Sequence, residues 1–185
     1  MKLRDALPGY LAEQGLPGPD IPKSPIDWVP AFGVNWPIPN PPIRASILPM
    51  HDAHHIVTGY RTDAHGEAQL AAWELAASGP IPLLGWVYGC LEFGLGLLQA
   101  PVLTSRAFYD GCGCRSVYSL GVQAVLMADI QELRVHTRID APHVRTWRDH
   151  AAYARAIALA LAMPIVALPL MAVVMLQRPT AAAIQ

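Results

Sequence analysis

Proline is the residue that most limits what this chain can fold into. Eleven of the eighteen prolines fall in residues 1–50, and PIPNPP at 37–42 can build neither a helix interior nor a central strand, because proline lacks the amide donor that both require. Residues 1–48 are therefore expected to form an extended arm over a body made from residues 49–185. Within that body the signals are helical. The first helix is predicted to begin near Pro49, a residue tolerated in a first turn, and to stop at Gly59, with a turn over residues 58–62. Asp63 is the expected N-cap of a second helix that reaches Ala77, where SGP at 78–80 ends it. Two helices so closely linked form an antiparallel hairpin.

Downstream, IPLLGWVYGCLEFGLGLLQAPVL at 81–103 is apolar apart from Glu92 and reads as a buried helix broken near Pro101. A buried charge without compensation is costly, so Glu92 is expected either to face solvent or to pair with Arg106 or Arg115. Residues 115–136 carry apolar positions at helical spacing and are predicted as one helix, and Asp140 as the cap of another with Pro142 in its first turn. The segment AIALALAMPIVALPLMAVVML, 156–176, has the length of a bilayer span. Pro164 and Pro169 interrupt it, so a buried or membrane-resting pair of helices is expected there rather than a single span. No strand alternation or repeat stands out. The fold class is all-α, a single helical domain.

Only 15% of residues are charged while 53% are hydrophobic, and the mean hydropathy is +0.29. That balance favours a membrane surface or a lipid-like ligand as partner. The net charge of −1 argues against nucleic acid, whose phosphates call for a basic excess. The N-terminal MKLRDALPGYLAEQG has acids at positions 5 and 13 and no apolar run of signal-peptide length, so a cytoplasmic location is expected. Cys90, Cys112 and Cys114 are too few for a disulfide framework and are read as reduced thiols.

One stretch stands apart. HDAHHIVTGYRTDAHGE, residues 51–67, concentrates four histidines and three acids in an otherwise apolar chain. On a helix His51 and His55 are four residues apart and share a face, the spacing by which two imidazoles reach one ion. Asp52 lies about 60° round the helix from His55. Glu67, one turn into the second helix, is returned toward the first by the hairpin. Two nitrogens and two oxygens can thus converge, a set that suits zinc, iron, cobalt or manganese rather than calcium or copper(I). A solvated helix face is the alternative for HDxxH alone, and the added glutamate weighs against it. His54 and His65 are expected outside the ligand set, and Trp73 and Trp86 in the core.

The pattern HDxxH, eleven residues, then E, resembles the signature of the coenzyme Q biosynthesis protein 4 family. TGY, TD and GE resemble that family's turn between metal-site helices, and ADIQELRVHTRI its penultimate stretch, so the likeness covers about residues 47–140. The Pro-rich arm and the apolar tail depart from it. The resemblance implies that His51, Asp52, His55 and Glu67 bind a divalent metal, zinc foremost, and that Asp52 and Glu67 serve the chemistry. It implies a prenylated aromatic quinone precursor as substrate, with removal of the ring carboxyl at C1 and hydroxylation of that carbon. A peripheral place on the membrane, other quinone-biosynthesis proteins as partners and a homodimer are compatible with it.

Two other readings compete. The chain could be a non-catalytic prenyl-lipid-binding scaffold of a quinone-biosynthesis complex, its metal structural. Alternatively His51, His54 and His55 spell HxxHH, a box of di-iron membrane hydroxylases and desaturases. Those enzymes need several such boxes, and His136, His143 and His150 form no second one.

Overall fold

The computed structural model describes residues 1–15, 26–31, 34–41 and 43–176. These form eight α-helices, a two-stranded hairpin and one 3₁₀ turn at Tyr118–Leu120. The helices are α1 (Leu3–Glu13), α2 (Arg44–Thr58), α3 (Ala64–Ala76), α4 (Leu83–Gln99), α5 (Pro101–Gly111), α6 (Val122–Met127), α7 (Ile130–Thr137) and α8 (Trp147–Leu176). Strands β1 (Ile26–Ala31) and β2 (Val34–Pro39) pair antiparallel, with Trp28 opposite Pro37 and Pro30 opposite Asn35. Both strands are edges, the setting in which a strand tolerates proline. The all-α class holds, in one domain.

The N-terminal arm is not extended throughout. Residues 3–13 are helical despite Pro8, because Leu3, Leu7 and Leu11 recur at i, i+4 and i+8 and are all buried. Burial of that stripe offsets the hydrogen bond that proline removes. Residues 16–25 lie outside the described residues.

Helix α2 likewise begins earlier than Pro49, at Arg44, and carries that proline in its interior. Ile47, Met50, Ala53 and Val57 flank the proline with buried apolar positions and hold the helix through it. Gly59 ends it as expected, with φ 77°, its amide donating to the His55 carbonyl. Asp63 caps α3 by accepting from the Gly66 amide at 3.0 Å. Gly66 itself is required: a Cβ there would lie 1.9 Å from the Arg61 carbonyl oxygen.

The predicted 115–136 helix is instead a 3₁₀ turn, α6 and α7. Gly121 takes φ 78°, and Asp129 opens α7 with a capping box to Glu132, a stronger local signal than the apolar period. Asp140 caps nothing; it pairs with Arg134 at 2.5 Å, and α8 starts only at Trp147. Nor do residues 156–176 form two helices. Alanine-rich α8 runs on through Pro164 and Pro169. Among the described residues no helix is long and apolar enough to cross a membrane.

Of the four buried apolar clusters among the described residues, the two largest frame the site. One gathers Leu3, Ile47, Val57, Val117, Val125 and Leu133 from α1, α2, α6, α7 and the segment before α6. The other gathers Ala72, Phe93, Phe108 and Ala160 from α3, α4, α5 and α8. Helices α3 and α4 approach closely through small residues, Gly96 against Ala68 and Gly89 against Leu75. The functional side chains lie where α2, of the first cluster, meets α3, of the second.

Candidate metal centre

Helix α2 buries one stripe and turns the next, His51 and His55, toward α3. The two imidazole rings stand edge-on, 4.9 Å apart at 89°. From α3, Glu67 presents one oxygen to each: Oε2 lies 3.2 Å from His51 Nε2 and Oε1 lies 3.3 Å from His55 Nε2. One donor atom from each of the three residues falls within 4.8 Å of the others. This cluster could hold a metal ion.

The proton positions say more than the distances. His55 Nδ1 lies 3.0 Å from the carbonyl oxygen of Tyr60, which can only accept, so Nδ1 carries the hydrogen. With its hydrogen there, His55 directs Nε2 at Glu67, and that buried nitrogen makes no hydrogen bond. Two acceptors facing each other are costly unless a proton or a metal cation lies between them. His51 repeats the arrangement, with Nδ1 directed at Glu74 Oε1 at 3.2 Å and Nε2 at Glu67. In the neutral form both rings are held as Nδ1–H tautomers with Nε2 aimed at one carboxylate, the orientation that carboxylate or carbonyl partners impose on metal-bound histidine.

Behind the cluster is a buried layer that the sequence reading did not single out. Glu74, 3% exposed, accepts at one oxygen from His51, from His54 Nδ1 at 2.6 Å and from the Tyr118 hydroxyl at 3.0 Å. His54 Nε2 accepts from the Val117 amide at 2.9 Å, so His54 is a neutral, fully buried strut and not a ligand. Burial holds its pKa down. His65 is exposed. Tyr10 of α1 stacks on His55 at 6.4 Å and donates to the same Tyr60 carbonyl at 3.2 Å. Trp73 is fully buried in the core, as expected, whereas Trp86 is only partly buried, against Cys90 and Met163.

Charge in the site is unevenly shared. Burial opposes the ionisation of Glu67, but the hydrogen bond and charge of His51, with His55 beside it, hold it at about 2. Burial likewise opposes the protonation of His51, and the carboxylates of Glu74 and Glu67 at its two nitrogens raise it well above the usual imidazole range. Without a metal, His51 is thus an imidazolium between two carboxylates. An ion must displace that proton to bind.

Asp52 is not among the donors that converge. It is half-buried beside them, its carboxyl raised by burial against the pull of His51 and His55 and with the push of Glu67. Glu92 neither faces solvent freely nor pairs with Arg106, which reaches Asp110 instead. The Gly96–Ala68 and Gly89–Leu75 contacts put it opposite Ala71 and Ala72, between the levels of Glu67 and Glu74. Burial and those two carboxylates push it up to about 8.

No protein-family model, curated protein or solved structure matches the chain. Its function is read from this site.

Among the described residues the remaining histidines do not extend the site. His136 reaches the Ser116 carbonyl, His143 reaches Asp149, and His150 reaches the Tyr109 hydroxyl. Among the described residues the single candidate group is His51, His55 and Glu67.

Proposed function

We propose that this chain is a metal-dependent enzyme of ubiquinone biosynthesis that acts on a prenylated aromatic carboxylate, removing the ring carboxyl at C1 and setting a hydroxyl on that carbon. The observation that carries the reading is the pair of imidazole Nε2 atoms turned on one carboxylate, each ring held from behind by an acceptor. Two imidazoles and a carboxylate suit zinc, and iron, cobalt or manganese equally by donor type. The substrate class comes from the resemblance of the HDxxH pattern and its glutamate to the coenzyme Q biosynthesis protein 4 family.

In this reading His51, His55 and Glu67 hold the ion and Asp52 joins them as fourth ligand, so that two carboxylates neutralise its charge. Bound there, a divalent ion supplies Lewis-acid polarisation of a ring carboxylate or of water. Glu74 fixes the His51 ring and Tyr60 the His55 ring. The side chains of His51 and Glu67 are 20% and 30% exposed, so the site is open on that side for a ligand. Exchange of a carboxyl for a hydroxyl removes two electrons from the ring. Zinc cannot accept them, so dioxygen or another oxidant takes them up. The prenyl tail places the substrate in a bilayer and the protein at its surface, beside other quinone-biosynthesis proteins.

The test is metal analysis of purified protein together with carbon dioxide release from a prenylated 4-hydroxybenzoate in air. Wild type is expected to carry one divalent ion per chain and to turn over. His51→Ala is expected to lose both. Glu74→Gln, which removes no ligand, is expected to weaken metal binding by about ten- to a hundredfold. Metal retention without turnover would make the chain a prenyl-lipid-binding scaffold, and full turnover by His51→Ala would remove the metal from the reaction.

A further inference from the structure

Helix α8 has two unlike faces. Ala156, Ala160 and Met163 point inward and are buried, Ala160 against Gly94 of α4. On the outward side Trp147, Leu161 and Ile165 are 74%, 73% and 75% exposed. Eighteen residues make five turns, so Trp147 and Ile165 lie on one line along the helix, about 27 Å apart. Leu161 is one turn before the end of that line, and the positions between, Ala151, Ala154 and Ala158, are exposed alanines. The result is an apolar ridge with no partner among the described residues, at a size and continuity that mark an interaction surface.

Charge beside the ridge is of one sign. Arg148 and Arg155 are seven residues apart and form an exposed stripe along one flank. The single acid of the helix, Asp149, is turned away, accepting from the Thr146 amide and hydroxyl and approaching His143 at 3.0 Å. At the N-terminal end the surface widens. Arg145 lies 4.3 Å over the Tyr109 ring and lines a shallow groove with Val102 and Arg106 of α5, and Val102 and Val144 are both exposed.

An exposed tryptophan and a line of aliphatic side chains, flanked by arginines with no exposed acid on the helix, complement an anionic bilayer surface more closely than another protein face. We propose that the ridge from Trp147 to Ile165 is a membrane-docking surface that lays α8 in the plane of a bilayer containing anionic lipid. This deepens the reading of a prenylated substrate and rests on it only in expecting the protein at a bilayer. Trp147, Leu161 and Ile165 enter the acyl boundary, and Arg145, Arg148 and Arg155 meet lipid phosphates at its edge.

Flotation of the full chain with phosphatidylcholine vesicles, with and without phosphatidylglycerol, tests the proposal. Wild type is expected to float with the anionic vesicles, less with the neutral ones, and less again at high salt. The exposed pair Leu161→Asp and Ile165→Asp, whose melting temperature should match wild type, is expected to abolish flotation. Arg148→Ser is expected to weaken binding to anionic vesicles about fivefold and to leave neutral vesicles unaffected. Flotation of the double aspartate variant equal to wild type would overturn the proposal. So would a wild-type dimer in sedimentation velocity that the double variant abolishes while neither binds vesicles, since a second copy would then cover the ridge. Glu67→Ala, stripped of metal, is expected to float like wild type, so a failure of docking and a failure of the metal reading are told apart.

Discussion

Glu67 and Glu92 sit on adjacent helices and are driven to opposite ionisation states. Glu67 is held at about 2 against an ordinary 4.5, so its contribution to stability is full above 4.5 and is lost as pH falls toward 2. Glu92 is pushed up to about 8 from the same ordinary value, so between 4.5 and 8 the folded chain keeps a proton that the unfolded chain releases. Stability therefore declines across that window as pH rises. Glu92→Gln, compared with wild type by urea unfolding in the presence of a chelator, is expected to match it below about pH 4.5 and to be increasingly more stable toward pH 8. A constant difference at every pH would show that Glu92 titrates alike in the folded and unfolded chains. Of the site itself, His51, His55 and Glu67 were legible in the sequence because helical spacing and one tight turn bring them together. Glu74 carried a signal too, standing seven residues after Glu67 and so on the same face of α3, but an acid near the middle of an apolar helix says nothing of its acceptors. Tyr10 and Tyr118 reach the site from other helices and loops, and no local pattern announces that. Asp52, adjacent to His51 in sequence, is turned about 100° from it on the helix, which is why adjacency did not place its carboxylate among the converging donors.

At the scale of elements, the prolines misled where tertiary burial outweighed their local cost. Helices α1, α2 and α8 all contain proline, and in α1 and α2 a buried apolar stripe runs past it. Turn and cap residues read correctly at Gly59, Asp63 and Pro101, because their roles are settled by backbone conformation within a few residues. The capping box at Asp129 was equally local and outranked the apolar period over 115–136. Gly96 marks the contact that positions α3. A Cβ there would meet Ala68 Cβ at 2.5 Å and Thr104 Oγ1 at 2.7 Å. Gly96→Ala is accordingly expected to destabilise the fold by about 1–3 kcal/mol through overpacking, measured by urea unfolding. Because Ala68 adjoins Glu67, the same variant is expected to lose metal affinity while every ligand remains.

For the whole molecule, the centre lies where α2, of the cluster around Leu3 and Val57, meets α3, of the cluster around Ala72 and Phe93. Removal of the ion by a chelator is expected to lower the melting temperature by several degrees. The loss of about 2.7 kcal/mol that accompanies removal of a ligand present at a hundred times its Kd, at about 2–4 °C per kcal/mol for a chain of this size, sets the scale. Calorimetry of loaded and stripped protein checks it, and an unchanged midpoint would show that the ion binds folded and unfolded chains alike. The bond from the Val117 amide to His54 Nε2 also orders events in time. Glu74 is braced by His54 and by the hydroxyl of Tyr118, and both braces depend on a segment made more than forty residues after α3. A chain still emerging from the ribosome has His55 aimed by Tyr60 but lacks the later braces on Glu74, the residue that aims His51. On the proposed reading metal would then be captured by a finished protein, and a loaded centre would certify that both halves of the chain have come together.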